Sequence, residues 1–244
     1  MSAAAADTIL SVVSVPCEKS MKKAVHIEFV SDVMCPWCAI AFASLNKALM
    51  AMDSQLSAYI SCQPFELNPD MPAAGQNLRE HLTEKYGSSK EDSIAARERI
   101  TQMGKSLGFE FNFTDDQRML NTFNAHQLLL WAEEQGWQPQ LEAALFTAYF
   151  RDGRDVSNAE VLVAVAAEAG LDPQETAEIL ADQRYAMDVR VKEQQWQEMG
   201  IRSVPAVILQ NKYLIAGAQP PESYIKALSE LLFMQDEEQI QPAG

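Results

Sequence analysis

The sequence predicts an α/β fold: one sheet with helices packed on it, interrupted by a large all-helical insertion. Three observations predict it. Residues 24 to 64 alternate strand, helix and strand patterns, residues 76 to 199 carry only helical periods, and residues 204 to 232 return to two strands and a helix.

The first strand is "AVHIEFVS", residues 24 to 31, whose alternation fits a strand entering a core. After "CPWC", Ile40, Leu45, Leu49 and Met52 recur near a helical period, so a helix starts at Pro36, where a missing N–H costs nothing. "LSAYISCQPFEL" is the second strand, and Pro69 and Pro72 in "NPDMP" end it. Within the helical block, "AHQLLLWAEEQG" and "LEAALFTAYFRDG" each carry an apolar face and end in glycine. Ser157 and Glu160 have capping-box spacing, Gly170 stops that helix, and Asp172 caps the next with Pro173 in its first turn. "SVPAVILQNKYLIAGA" then reads as two short strands joined by a tight turn at Gln210 to Lys212, and "PPESYIKALSELLF" as a closing helix. The resulting organisation is an extension expected to be disordered at 1–23, a discontinuous sheet domain at 24–75 and 200–235, a helical domain at 76–199, and a flexible tail at 236–244. Without the helical block, βαβ followed by ββα remains, the skeleton of a thioredoxin-like sheet.

Composition excludes some functions. Nineteen Lys and Arg against 34 Asp and Glu give a formal charge of −15 and a pI near 4.6. Nucleic-acid binding wants clustered cations, so a nucleic-acid partner is not expected. No stretch reaches the roughly 18 to 20 apolar residues of a membrane span. The apolar run from Thr8 to Cys17 has no Lys or Arg before it, as a secretory signal would, and Met21 offers a second start. The expected location is therefore cytoplasmic.

Four cysteines, Cys17, Cys35, Cys38 and Cys62, are too few for a disulfide scaffold. Chance would place only about 0.05 pairs at i, i+3 among them, which singles out Cys35 and Cys38. A thiol reacts as thiolate, and a helix N-terminus favours that form through unpaired N–H groups and the dipole. Cys35, just before the helix, is thus the nucleophile; Cys38, one turn later, is the resolving thiol, within reach for a disulfide. Pro36 and Trp37 lie between them, and Trp37, with Met34, offers an apolar surface beside the reactive sulfur. Far along the chain, a cis bond at Val204–Pro205 would expose the Val204 backbone edge for a substrate strand. Structural zinc wants four ligands, and Cys17 and Cys62 form no second pair, so no metal is expected. His26, His81 and His126 share no spacing with each other or with the cysteines and read as hydrogen-bonded or solvated. Cys62 reads as a small buried residue, and Asp32 as a charge opposing thiolate formation.

"CPWC", "PFELNPDMP" at 64 to 72, "LFTAYFRDGRDVSNAEVL" at 145 to 162 and "VPAVILQNKYLIAGAQPPE" at 204 to 222 together resemble the FrnE-like branch of the DsbA family of thiol-disulfide oxidoreductases. The resemblance implies a thioredoxin fold with a helical insertion, a redox-active Cys35/Cys38 pair and a cis-proline at Pro205. It implies protein thiols and disulfides or small disulfides as substrates, no bound cofactor, and glutathione as a redox partner. The family often carries a glutamate six residues before the first cysteine. Here that position is Phe29 and the glutamate is Glu28, which becomes the expected proton relay if one residue is inserted in the turn. The alternative reading, a glutathione-dependent isomerase or transferase of the 2-hydroxychromene-2-carboxylate isomerase or kappa-class type, leaves the second cysteine without a use.

Overall fold

The computed structural model describes residues 22–240, so Cys17 and most of the expected N-terminal extension lie outside the described residues. The chain begins with β1 (Lys23–Ser31), crosses through α1 (Pro36–Ala51) and returns as β2 (Leu56–Pro64), parallel to β1 with Lys23 beside Leu56 and Ser31 beside Pro64. A helical crossover is what a parallel pair requires, since no short turn can join two strand ends on opposite edges. After a long excursion the chain re-enters as β5 (Ala206–Leu209), antiparallel to β1, and turns into β6 (Tyr213–Ala216). The sheet order is β2-β1-β5-β6, so β1 is interior and feeds the α1 turn from the middle of the sheet. Three residues join β5 to β6: Gln210 and Asn211, both in the left-handed region at φ 51° and 54°, and Lys212, whose amide closes the turn on the Leu209 carbonyl at 3.0 Å.

Interior position explains the composition of β1. Ile27 and Phe29 are fully buried in the main core with Phe42, Leu45 and Tyr224, while Val30 packs with Ile201, Ala206 and Ile208 in a second cluster. Strands covered on both faces carry apolar residues on both, and β1 loses strict alternation toward its end for that reason. The closing helix α9 (Pro221–Ile240) lies along α1, with Leu228 and Leu231 buried between them. It continues to Ile240, past residue 236, where the sequence suggested a flexible tail; Leu228, Leu231 and Leu232 anchor its earlier turns.

Between β2 and β5 stand α2 (Leu78–Tyr86), α3 (Lys90–Leu107), α4 (Phe123–Glu134), α5 (Gln138–Phe146), α6 (Ala159–Glu168), α7 (Pro173–Asp182) and α8 (Ala186–Glu198). A single π turn at Thr147–Arg151 prolongs α5. The block is not all-helical: β3 (Gln76–Asn77) and β4 (Arg118–Met119) form a two-residue antiparallel ladder. Two residues are too few to show a period, and the approach depends on Gly75, where a Cβ would stand 2.4 Å from the Met119 carbonyl oxygen. A second correction concerns α6. Its N-cap is Asn158, accepting from the amides of Glu160 and Val161 at 2.9 and 3.2 Å, while Ser157 bonds Asp155 instead. Asp172 caps α7 as its sequence suggested, accepting from the Glu175 amide at 2.8 Å.

One side chain clamps the insertion to the sheet. Gln138, at the start of α5, accepts from the Cys62 amide at 2.7 Å and donates to the Cys62 carbonyl at 2.8 Å, completing the outer edge of β2 as a neighbouring strand would. Gln138 is buried, so removing it leaves both Cys62 groups unsatisfied in a dry interface. Gln138→Ala is expected to cost about 2 to 3 kcal/mol in chemical denaturation; a loss under about 0.5 kcal/mol would contradict the clamp.

Candidate active site

The site is built where β1 gives way to α1. Cys35 is the N-cap residue of α1, extended at φ −88° and ψ 111°, with Pro36 in the first turn. Its amide donates to the Asp32 carbonyl at 2.9 Å, and its carbonyl receives the amides of Cys38 and Ala39 at 3.0 and 3.2 Å. Cys38 therefore stands one turn into the helix behind Cys35. Both thiols are free and buried, Cys35 at 4% exposure and Cys38 at 0%. Pro36 and Trp37 are partly exposed between them, and Met34 is buried rather than part of a surface patch. The guanidinium of the exposed Arg99, on α3, lies over the Trp37 ring at 5.1 Å.

The chain returns to this turn 169 residues later. The Val204–Pro205 bond is cis, and the Cys35 thiol donates to the Val204 carbonyl at 3.8 Å. Of the residues singled out from sequence, the fold gathers Cys35, Pro36, Trp37, Cys38, Val204 and Pro205 at one place. Glu28 sits elsewhere. Its carboxyl faces His26, Gln63, Lys192 and Glu133, with His26 Nε2 at 3.7 Å, and burial raises its pKa.

Asp32 shares the turn with Cys35, whose amide its carbonyl accepts. Its carboxylate is almost wholly buried and accepts from the Met34 amide at 3.1 Å and the Leu67 amide at 2.7 Å. Burial pushes its pKa up to about 6, against the pull of those two amides. The Cys38 thiol is pushed well above the ordinary thiol range, first by burial and then by the Cys35 sulfur; the Asp32 amide facing the sulfur acts the other way.

Sequence reasoning missed the groups that the insertion brings against this turn. His126 of α4 places Nε2 at 3.9 Å from Asp32 Oδ1, and burial holds its pKa down near 3. Glu142 of α5 accepts from the Ser31 hydroxyl at 2.6 Å and is raised to about 7 by burial. Glu66, after β2, is also raised to about 7 by burial, although Arg190 of α8 pairs with it and with Glu193, the latter at 2.8 Å. A histidine within "FNAHQLLLWAEE" carries no mark of which carboxylate it will face. Among the described residues, no group of three or more His, Cys, Asp or Glu is placed to hold a metal ion.

Residues 26–229 match the model of the DSBA-like thioredoxin domain. The chain belongs to that family. A probable DsbA oxidoreductase from Streptomyces coelicolor has a similar structure, with TM-score 0.80 and 32% identity over 90% of this chain and 93% of that one. The cytosolic disulfide reductase DsbM of Pseudomonas aeruginosa, solved with GSH, gives TM-score 0.60 at 16% identity, covering 85% of this chain and 98% of its own. A 2-hydroxychromene-2-carboxylate isomerase gives TM-score 0.64 at 14% identity, covering 88% and 100%. Among the described residues, no helix is long and apolar enough to cross a membrane.

The buried acids make stability depend on pH with a defined sign. Glu142 titrates at about 7 when folded against 4.5 as a free carboxyl, so the folded state holds its proton between those values. Its contribution is complete below the lower value and is lost as pH rises through the upper one, by about 3 kcal/mol at most. Glu142→Gln keeps an acceptor for Ser31 and removes the charge. Denaturation at about pH 5 and about pH 8 is expected to show the variant losing less stability than the parent over that interval. Equal losses would contradict the burial assigned to Glu142.

Proposed function

We propose that this DsbA-like protein is a thiol-disulfide oxidoreductase or disulfide isomerase in which Cys35 exchanges with the substrate and Cys38 resolves the mixed disulfide. The observation that carries the reading is the placement of the two sulfurs. Cys35 caps α1 with its thiol against the Val204 carbonyl, while Cys38 is fully enclosed one turn behind. A substrate disulfide meets Cys35 first. The Cys35 sulfur bonds to one substrate sulfur, and the S–S bond breaks with its electron pair leaving on the other. Cys38 then attacks Cys35 from within, expelling the substrate sulfur bonded to it and leaving a Cys35–Cys38 disulfide. Run in reverse, the same steps oxidise a dithiol substrate.

Two features support a docking surface for a chain next to the reacting sulfur. The Val204–Pro205 segment lies directly over Cys35, where an extended substrate backbone could pair with it. Trp37, partly exposed in the same turn under the Arg99 guanidinium, offers an apolar ring to a substrate. Protein thiols and disulfides, or small disulfides, are the proposed substrates, with glutathione as a redox partner and no cofactor bound. The FrnE-like branch and a cytoplasmic setting belong to the same proposal; there the dithiol would be the resting form, favouring reduction or isomerisation over oxidation. A glutathione-dependent isomerase on this fold would have no use for the enclosed second thiol.

Single serine replacements test the division of labour. Cys35→Ser is expected to abolish insulin reduction and dithiol oxidation, by at least about a thousandfold. Cys38→Ser is expected to accumulate mixed disulfides with its substrates, visible by mass spectrometry and released by dithiothreitol. Full activity in both variants would end the oxidoreductase reading.

A further inference from the structure

The chain has nine arginines in a molecule of formal charge −15. Most of them are spent on the fold: seven bond a carboxylate or a backbone carbonyl of their own chain. Among the described residues, Arg99 and Arg202 bond neither, and both are exposed. These two belong to the two segments that meet at Cys35.

Arg99 reaches the turn from α3, which lies along α1 with Ile100 buried in the main core. Its guanidinium lies over the ring of Trp37 at 5.1 Å, and Trp37 is two residues from Cys35. Three and four residues away on α3 stand Ala95, Ala96, Gln102 and Met103, so the helix offers it no acid at pairing distance. A guanidinium over a ring still presents its N–H edge to an incoming group. Arg202 reaches the turn along the other segment. It follows Ile201, buried in the second cluster with Val30 and Ala206, and stands two residues before Val204, whose carbonyl accepts from the Cys35 thiol. Asp32, the acid of the turn, is buried with its carboxylate on the amides of Met34 and Leu67 and pairs with neither arginine.

Resting on the oxidoreductase reading, we propose that Arg99 and Arg202 determine specificity by holding carboxylates that flank the reacting cysteine, so that the favoured substrate is an acidic disulfide. The planar fork of a guanidinium matches a carboxylate with two parallel N–H donors, and an unpaired fork has no internal bond to give up first. Each exposed pair of this kind is worth about a threefold change in rate at low salt. The net charge acts the other way at long range, since it repels an acidic substrate. A preference for acid therefore has a sign that only local cations at the turn supply. The carboxylates come from acidic residues of a protein segment or from a small disulfide, and the two sources are separable by experiment.

The test uses reduced protein carrying Cys17→Ser, to remove a competing thiol, and peptides with one cysteine flanked on both sides by Glu, by Gln or by Lys, each activated as its 2-pyridyl disulfide. Cys35 gives its proton to solvent and its sulfur bonds to the peptide sulfur. The bond to the pyridyl sulfur breaks with its electron pair, and the released thiopyridone takes up a proton; its absorbance reports attack by Cys35 alone. At low salt the Glu peptide is expected to react at least about fivefold faster than the Gln peptide, with the Lys peptide slowest, the reverse of the order that net charge alone would set. The advantage should shrink toward unity at about 0.5 M salt. The ratio of Glu to Gln rates within one protein cancels any general change in the site. Arg99→Gln and Arg202→Gln should each lower that ratio about threefold, and the double variant should bring it to unity or below. Oxidised glutathione against its ethyl ester, followed by mass spectrometry in the same variants, separates the sources: an acid preference confined to this pair assigns the carboxylates to a small disulfide, and one shown by the peptides assigns them to a protein segment. Ratios at or below unity with both sets of probes, or ratios that the double variant leaves unchanged, would overturn the proposal while leaving the exchange reaction standing. Release of no thiopyridone from any of the peptides would instead remove the oxidoreductase reading itself.

Discussion

The rest of the structure depends on how four residues, Asp32 to Cys35, leave the middle of the sheet. β1 is interior, so its end emerges already buried, and the chain must become a helix before reaching water. Every polar group in such a turn needs a partner. Asp32 supplies most of them: its carbonyl takes the Cys35 amide, and its carboxylate takes the amides of Met34 and Leu67. One side chain thereby holds the N-terminus of α1 and the segment after β2 in register. The cysteines inherit their geometry from that arrangement, Cys35 at the cap and Cys38 enclosed behind it.

The helical insertion shares in this constraint. It packs against the turn, where α4 contributes His126 and α5 contributes Glu142, and Gln138 of α5 clamps it to β2. Covering the turn removes water from Asp32, and the loss of water raises the affinity of its carboxyl for a proton. The same dryness raises Glu142 and Glu66, which are carried at a cost to stability above neutral pH. The raised proton affinity of Asp32 and a declining stability toward alkaline pH thus have one cause.

Much of this was legible in the residues. The strand and helix periods located β1, α1, β2, β5 and β6, and the i, i+3 cysteines before a helix located the two sulfurs. Pro205 could be tied to Cys35 because a βαβ and ββα frame brings those ends together. What stayed hidden has a common physical origin: it depends on pairings across the interface between insertion and sheet. His126 lies on an almost wholly buried helix, so no amphipathic pattern tells which side it faces. Glu28 and Asp32 lie four residues apart along the chain; β1 turns the first toward Gln63, while the turn after β1 puts the second on the amides of Met34 and Leu67. The ladder of Gln76–Asn77 with Arg118–Met119 was too short to leave a period, and Ser157 lost the cap to Asn158 because its hydroxyl had a nearer partner in Asp155.

The claim at the centre of this account is that Cys35 and Cys38 form one reversible disulfide. A glutathione redox titration, quenched with acid and read by mass spectrometry after thiol labelling, measures it most directly. The account predicts a single two-electron transition in which labels on Cys35 and Cys38 disappear together while Cys62, buried in β2, stays outside it. Retention of both labels over the whole range, or a course set by the ratio of GSSG to GSH rather than of GSSG to GSH squared, with Cys35 alone captured as a stable glutathione adduct, would contradict it.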